Sequence, residues 1–163
     1  MHAIRREILA AVNDLETLGA ELQSTWLREI PLAAAIGVTV AACSGDELAV
    51  RAPLAPNINV HGTAFAGSLF SVCVLTGWGA TWLALRRAGL AGQIVVADCR
   101  INYRKAVAGE ILCRCAAEAA ALEAALAELG AAGRTSLRLV CTIDAKDRRA
   151  VTFEGTYVVH AKR

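Results

Sequence analysis

The sequence predicts an α+β fold in which one antiparallel sheet curls around a long central helix. Residues 66–85 are apolar on every face, which is typical of a helix surrounded by other structure. After residue 92 the chain shows the apolar and polar alternation of half-buried antiparallel strands. A sheet wrapped around the helix is the simplest way to cover such an apolar element.

An amphipathic helix is predicted for residues 2–27. Apolar side chains recur there at steps of three and four: Ile4, Ile8, Val12, Leu15, Leu22 and Trp26. Pro31 ends this region, and we therefore divide the chain into an N-terminal helix (1–30) and a single domain (31–163). Two strand-like runs, 38–43 and 47–52, flank Ser44-Gly45-Asp46, which predicts the turn of a first hairpin.

The central segment 66–85 is also long enough to cross a bilayer at about 1.5 Å of rise per residue. A membrane span is therefore an alternative to a buried helix. Small and hydroxyl residues dilute its hydrophobicity: Gly67, Ser68, Ser71, Thr76, Gly77, Gly79 and Thr81. Because the rest of the chain reads as strands that need a central element, we favour the buried helix and expect no membrane partner.

Four further strands are predicted at 93–103, 110–119, 134–145 and 150–161. Residues 122–129 have helical spacing and good helix formers, which predicts a short helix between the fourth and fifth strands. Lys146-Asp147-Arg148 is predicted to be the turn of the last hairpin.

Composition and charge exclude several classes of protein. A chain of 163 residues that is 56% hydrophobic and 20% charged fits one folded domain and is too apolar for a disordered protein. A net charge of +2 argues against nucleic-acid binding. The N-terminus lacks the uninterrupted apolar region of a secretory signal, so we expect a cytoplasmic protein.

The six cysteines lie inside apolar runs, where cysteine behaves as a small hydrophobic residue. We therefore expect free, buried thiols rather than disulfides. No Cys-x2-Cys or His-x3-His pair is present, so no metal site is expected.

Several motifs give the chain a family resemblance. Residues 54–71 (LAPNINVHGTAFAGSLFS) run into Gly77-Trp78-Gly79, and the pattern continues through 94–103 (IVVADCRINY) and 153–158 (FEGTYV). Together with the element order, these segments resemble the hotdog-fold thioesterases, in particular the putative thioesterase family of the YiiD C-terminal type. The resemblance covers roughly residues 28–161.

The resemblance implies an acyl thioester hydrolase that acts on acyl-CoA or an acyl carrier protein, with coenzyme A as part of the substrate and no other cofactor. It also implies a homodimer in which the third strands, 93–103, pair, or a tetramer built from such dimers. The active site would lie at that interface, near the start of the central helix.

Physical chemistry favours the same place. A helix N-terminus offers unpaired N–H groups and a partial positive charge, which suit the oxyanion of a tetrahedral intermediate. Ala66, Gly67 and Ser68 would be the donors. Gly67 either lets the acyl group approach the backbone or allows close packing of helix against sheet. Ser68 is expected to be a hydroxyl donor rather than a nucleophile, because no Gly-x-Ser-x-Gly elbow is present.

The base that activates water is not evident. Related enzymes often carry an acidic residue two turns into the helix, where this chain has Val74. Asn59 would orient substrate or water, or else form an Asx turn. His61 would act as a base near neutral pH, or else be a solvated loop residue. Asp98 would be functional, or else paired with an arginine such as Arg100 or Arg138.

Basic pairs provide candidate partners for the phosphates of coenzyme A. Arg86 and Arg87 follow the helix, and Arg104 and Lys105 follow the third strand. An acyl tunnel would be lined by Leu69, Phe70, Cys73 and Trp78, which are equally plain core positions.

Hydrolysis by direct attack of water is the favoured function. Because the helix carboxylate is missing, a non-catalytic module that binds acyl thioesters is the main alternative. A hotdog dehydratase is a third possibility, although such enzymes pair a histidine with a helix acid that this chain lacks.

Overall fold

The computed structural model describes residues 2–45 and 47–162, with side chains from Asp14 onward. It contains four α-helices and six strands in these segments. Their bounds are α1 His2–Glu29, α2 Pro31–Ile36, β1 Thr39–Cys43, β2 Glu47–Ala52, α3 Ala66–Arg87, β3 Gly92–Tyr103, β4 Ile111–Ala116, α4 Ala119–Ala132, β5 Arg134–Ala145 and β6 Arg148–Ala161. A short 3-10 turn spans Ala55–Asn57.

The strands form one antiparallel sheet in the order β1-β2-β4-β5-β6-β3. β3 pairs with β6 along its full length and leaves its other edge open. A bulge between Val96 and Asp98 shifts the register of β3, which the alternation of the sequence alone does not reveal.

Helix α3 lies against the inner face of the sheet and touches β2 through β6. Gly77 and Gly79 allow this close approach. A Cβ atom on Gly77 would lie 2.2 Å from the Tyr157 hydroxyl oxygen, and one on Gly79 would lie 2.6 Å from the Trp26 ring. Although α3 is long and apolar enough to cross a membrane, 61% of its most apolar stretch is buried inside the molecule. α3 is therefore the buried central helix of this fold rather than a membrane span.

The second half of α1 belongs to the same core. Leu18, Leu22 and Trp26 are buried, and α1 packs on β1 and α3. Gln23 accepts a hydrogen bond from the Val40 N–H at 2.9 Å, which satisfies one donor on this sheet edge. The side chains of Ile4, Ile8 and Val12 lie outside the described residues.

Several boundaries differ from the predicted ones. Pro31 ends α1, as predicted, but it also begins α2, because proline suits the first turn of a helix. Gly37, with φ of 70°, ends α2. α4 is longer than predicted, and β4 is shorter because Glu118 is already the N-cap of α4. Asp46, part of the predicted first turn, lies outside the described residues.

All six cysteines are free thiols. Four are buried, and Cys43 and Cys99 are half-buried. Cys73 on α3 and Cys113 on β4 approach to 3.8 Å between their Sγ atoms, so they pack the central helix onto the sheet.

Candidate active site

A narrow loop leads into α3. Ile58 and Ala64 form an isolated antiparallel bridge, and the Asn59 N–H donates to the Thr63 carbonyl at 2.8 Å. Gly62 turns the chain with φ of 75°, a conformation that glycine adopts readily. The loop therefore closes on itself before the helix begins.

The Asn59 side chain holds this loop together. Its Oδ1 accepts hydrogen bonds from the N–H groups of His61 at 2.8 Å and Thr63 at 3.2 Å. Its Nδ2 donates to Thr63 Oγ1 at 3.1 Å and to the Ala64 carbonyl at 3.3 Å. The Asx-turn alternative is thus observed, and both ends of the amide are occupied inside the loop.

Asn57 is a supporting residue that sequence reasoning missed. It is 1% exposed, and its Nδ2 donates to the carbonyls of Ile36 at 2.8 Å and Pro53 at 2.7 Å. Its own carbonyl accepts the Phe65 N–H at 2.7 Å. Asn57 therefore ties α2 to the residue that precedes α3. An asparagine after a proline indicates a turn but not these distant partners.

The start of α3 presents open donors. Phe65 is the N-cap residue and provides no side-chain hydrogen bond. The N–H groups of Ala66, Gly67 and Ser68 have no acceptor within the part of the chain that the structure describes. These groups carry the positive end of the helix dipole. Unpaired N–H groups of this kind can hold a developing oxyanion.

The space beside Gly67 is occupied by an aromatic ring. A Cβ atom at this position would lie 2.3 Å from the Phe65 ring. The neighbour is thus the ring of Phe65, two residues earlier, and not the sheet named in one of the two predicted alternatives. Because Phe65 is 55% exposed, its ring forms part of the surface around the donors.

Tyr103 connects the end of β3 to the same helix terminus. Its hydroxyl donates to the Ala66 carbonyl at 3.0 Å. Partial burial, with a smaller contribution from Cys73, raises the pKa of Tyr103, so the hydroxyl stays protonated and able to donate. Sequence reasoning missed this residue because the contact joins positions 37 residues apart.

The loop from β3 to β4 completes this end of the molecule. The buried Val107 accepts the Ala64 N–H at 2.7 Å through its carbonyl. The N–H groups of Arg104 and Lys105 donate to the Ala150 carbonyl at 2.7 and 3.3 Å. Two of the predicted cations therefore lie at the end of the sheet where α3 begins.

Arg86 and Arg87 lie elsewhere. Twenty-two residues at about 1.5 Å each place them about 33 Å from the start of α3. Arg86 pairs with Glu21 at 2.8 Å and lies over the Trp82 ring, and Arg87 donates to the Gly45 carbonyl. Within one chain, the two basic pairs therefore lie at opposite ends of α3.

Asp98 is also separated from the loop. It is exposed and pairs in register with Thr156, on the outer face of the sheet, whereas α3 packs on the inner face. Arg138 forms its ion pair with Glu154 at 3.0 Å rather than with Asp98. Within one chain, the structure therefore does not bring Asp98 to Asn59 and His61.

His61 lies exposed near the tip of the loop, beside Val60, which is 94% exposed. Val74, at the position where related enzymes often carry an acid, accepts a hydrogen bond from the Tyr157 hydroxyl through its carbonyl. Burial raises the pKa of Tyr157 well above its usual range, so that phenol stays neutral.

The residues expected to line an acyl tunnel belong to the core. Leu69 and Cys73 are buried, Phe70 stacks edge-on against Phe153, and Trp78 donates to the Ile94 carbonyl. Among the described residues, no group of three histidine, cysteine or acidic side chains could hold a metal ion.

The antiparallel sheet wrapped around α3, with the loop of residues 58–64 leading into the helix N-terminus, defines a hotdog fold. The sequence matches the putative thioesterase family (yiiD_Cterm) over residues 19–161, and the chain belongs to this family.

Solved structures agree with this assignment. A putative thioesterase from Shewanella oneidensis is 30% identical, with a TM-score of 0.79 over 89% of this chain and 99% of that one. A protein of unknown function from Chlorobaculum tepidum is 25% identical, with a TM-score of 0.87 over 91% and 97%. A probable thioesterase from Pseudomonas aeruginosa, 19% identical with a TM-score of 0.75 over 88% and 96%, shares the fold.

Proposed function

We propose that this chain hydrolyses acyl thioesters, of coenzyme A or of an acyl carrier protein, at the N-terminus of α3. The observation that supports the proposal is the set of open N–H groups of Ala66, Gly67 and Ser68. These donors would polarise the thioester carbonyl and hold the oxyanion that forms when water attacks. The tetrahedral intermediate then expels the thiolate, which takes up a proton, and the carboxylic acid is released. No metal or covalent enzyme intermediate takes part.

His61 is the residue we assign as the general base. The amide of Asn59 is occupied within the loop, and Asp98 lies on the outer face of the sheet. His61 lies in the loop that leads into α3, and a neutral imidazole can accept a proton from an attacking water molecule. Asn59 then acts as a positioning residue that holds the loop in shape.

The catalytic unit that we propose is a homodimer joined through β3. This strand is 12 residues long, has one open edge and exposes Val95 and Val96. A long, apolar open edge favours pairing with another strand. Since Tyr103 links the end of β3 to Ala66, pairing at β3 would place the partner chain close to the site. Tetramers would form from two such dimers.

A non-catalytic thioester-binding module is the second candidate. It is favoured by the absence of any carboxylate between Glu47 and Asp98, which leaves α3 without the acid that related enzymes often carry. Such a module would hold an acyl thioester at the same donors and release it intact.

Free-thiol release from short, medium, long and aromatic acyl-CoA thioesters, measured at several pH values, tests the hydrolase. We expect turnover on one class of acyl chain, with a rate that falls as the imidazole becomes protonated at low pH. Binding without thiol release from any CoA or carrier-protein thioester would contradict hydrolysis and support the binding module.

The variant His61→Ala tests the base, with Val60→Ala as its control at the neighbouring exposed position. We expect His61→Ala to lower kcat/KM at least tenfold, about 1.4 kcal/mol of barrier, and to remove the dependence on pH near neutrality. Val60→Ala should leave both unchanged. Equal pH profiles for wild type and His61→Ala would refute this role.

A further inference from the structure

A groove opens between the loop that follows β3 and the turn that joins β5 to β6. We call it the basic groove. Residues 105–110 form one wall, and Asp144, Ala145, Lys146 and Arg148 form the other. Its volume is about 580 Å³, which lies within the usual range of about 300–1,000 Å³ for small-molecule sites.

The basic groove lies at the end of the molecule where α3 begins. Val107, in its first wall, accepts the Ala64 N–H, two residues before Ala66. The second wall continues into β6, where Val151 pairs with Tyr103, the residue whose hydroxyl reaches the Ala66 carbonyl. One loop therefore separates the groove from the approach to the open donors.

Both walls carry cations without a carboxylate partner. Lys105 lies on one side, and Lys146 and Arg148 lie on the other. None of the three forms an ion pair with a side chain in the described ranges, 14–45 and 47–162. Asp144 is neutralised by Arg149 at 2.6 Å, which leaves Glu110 as the opposing charge in the lining. The groove thus has a net positive charge.

The backbone around these cations is well anchored. Lys146 and Asp147 both have positive φ, 49° and 58°, and form the two-residue turn between paired strands. On the other wall, the Lys105 N–H is bound to the Ala150 carbonyl. The two walls are therefore positioned by main-chain hydrogen bonds rather than by the ligand.

We propose that the basic groove binds the phosphates of a 3′-phosphoadenosine diphosphate group, the nucleotide end of coenzyme A. This inference rests on the proposed function, thioester hydrolysis at the start of α3. It identifies acyl-CoA as the substrate class. Cations on two facing walls suit a compact ligand with several phosphates. A carrier protein would instead need an open face of roughly 800 Å² to dock. The concave shape favours the nucleotide.

Binding of free 3′-phosphoadenosine 5′-diphosphate, measured by calorimetry at low salt, tests the groove independently of catalysis. The variant Lys146→Glu/Arg148→Glu should weaken binding at least tenfold. Arg134→Glu/Lys162→Glu, which makes the same change in net charge at the opposite end of β5 and β6, should bind like wild type. Added salt should weaken binding to wild type because the contacts are ionic. Equal weakening in both variants, or in neither, would overturn the proposal.

Kinetic measurements distinguish nucleotide binding in the basic groove from thioester hydrolysis at the start of α3. Against acyl-CoA, the Lys146→Glu/Arg148→Glu variant should raise KM at least tenfold and keep kcat within twofold of wild type. Against the matching acyl-pantetheine, which lacks the nucleotide, it should behave as wild type. Arg148→Glu alone should show the same pattern with a smaller KM change, and it serves if the double variant unfolds.

The two proposals can fail separately. If wild type hydrolyses no thioester but its nucleotide binding is lost in the groove variant, the hydrolase is refuted and the groove is supported. If acyl-CoA and acyl-pantetheine react equally in every variant, the groove is refuted and the hydrolase stands. A loss confined to acyl carrier protein substrates would also refute the nucleotide and identify the groove as a protein-docking face.

Discussion

Asn57 and Asn59 lie two residues apart in the approach to α3 and hold different parts of it. Asn57 faces inward and joins the end of α2 to the residue before α3. Asn59 closes the exposed loop on itself. Asn57 is 1% exposed and the Asn59 amide is occupied inside the loop, so both residues act through the backbone that they position.

Replacing Asn57 tests its structural contribution. Asn57→Ala removes the donors to two carbonyls in a buried region, and leaving buried polar groups unpaired costs about 1–3 kcal/mol. We expect the free energy of unfolding to fall by about that amount in a urea titration. Asn102→Ala, on the exposed face of β3, is the control and should change stability little. Equal stability of both variants would contradict this role.

Substitutions of Asn59 and Asp98 are expected to have different effects on the rate of hydrolysis. Asn59→Ala removes the hydrogen bonds that shape the loop and should lower kcat/KM at least tenfold, about 1.4 kcal/mol. Asp98→Ala changes an exposed carboxylate on the far face of the sheet and should leave the rate within twofold. A large loss in Asp98→Ala would show that this carboxylate reaches a reacting group, for example in a partner chain.

At the scale of the element, α3 depends on small residues that let other groups approach it. Gly77→Ala would force a methyl group into the Tyr157 ring, and overpacking of this kind costs about 1–3 kcal/mol. We expect its thermal midpoint to fall by several degrees. Gly130→Ala, in α4, meets nothing within 4 Å and should stabilise the protein by up to about 1 kcal/mol. A stable Gly77→Ala protein would show that the ring can move aside.

The strand β3 combines two tasks within one element. Its inner edge completes the sheet against β6, while its end fixes the α3 terminus through Tyr103. Pairing at the open edge of β3 is therefore expected to affect the positions of the N–H donors at the start of α3.

At the scale of the whole molecule, assembly can be tested with charges. Val95→Lys/Val96→Lys places two cations on the open edge of β3, where charge prevents strand pairing. Light scattering should show a change from dimer to monomer, with loss of thiol release. Val140→Lys, on β5 in the interior of the sheet, should keep the dimer. An unchanged mass in the β3 variant would refute pairing at this edge.

Much of the fold could be predicted because its signals are local. The apolar run of 66–85 reflects a helix buried on most faces. The alternation of Leu137, Leu139 and Cys141 with polar residues reflects a strand buried on one face. α2 escaped prediction because six residues are too short to show a period, and proline also reads as a stop signal.

The site could be predicted only in part. The donors at 66–68 follow from where the helix begins, and that boundary is marked in the sequence. The partners of Asn57 and Tyr103 could not be found, because each contact joins segments far apart in the chain. Arg86 and Arg104 are the same residue type and both follow a predicted element. In the structure, Arg86 lies at the C-terminal end of α3, whereas Arg104 lies at the end of the sheet where α3 begins.

Apart from α2, the elements, their order and the family could be predicted from the sequence, since each depends on residue types at short spacing. The contacts between distant residues became visible only in the folded chain. The bulge near Ala97 places Asp98 on the outer face, and the return of β6 beside β3 brings Lys146 and Arg148 opposite Lys105. Contacts of this kind depend on the register and order of the strands. Both are set by the packing of the whole sheet around α3 and not by short sequence patterns.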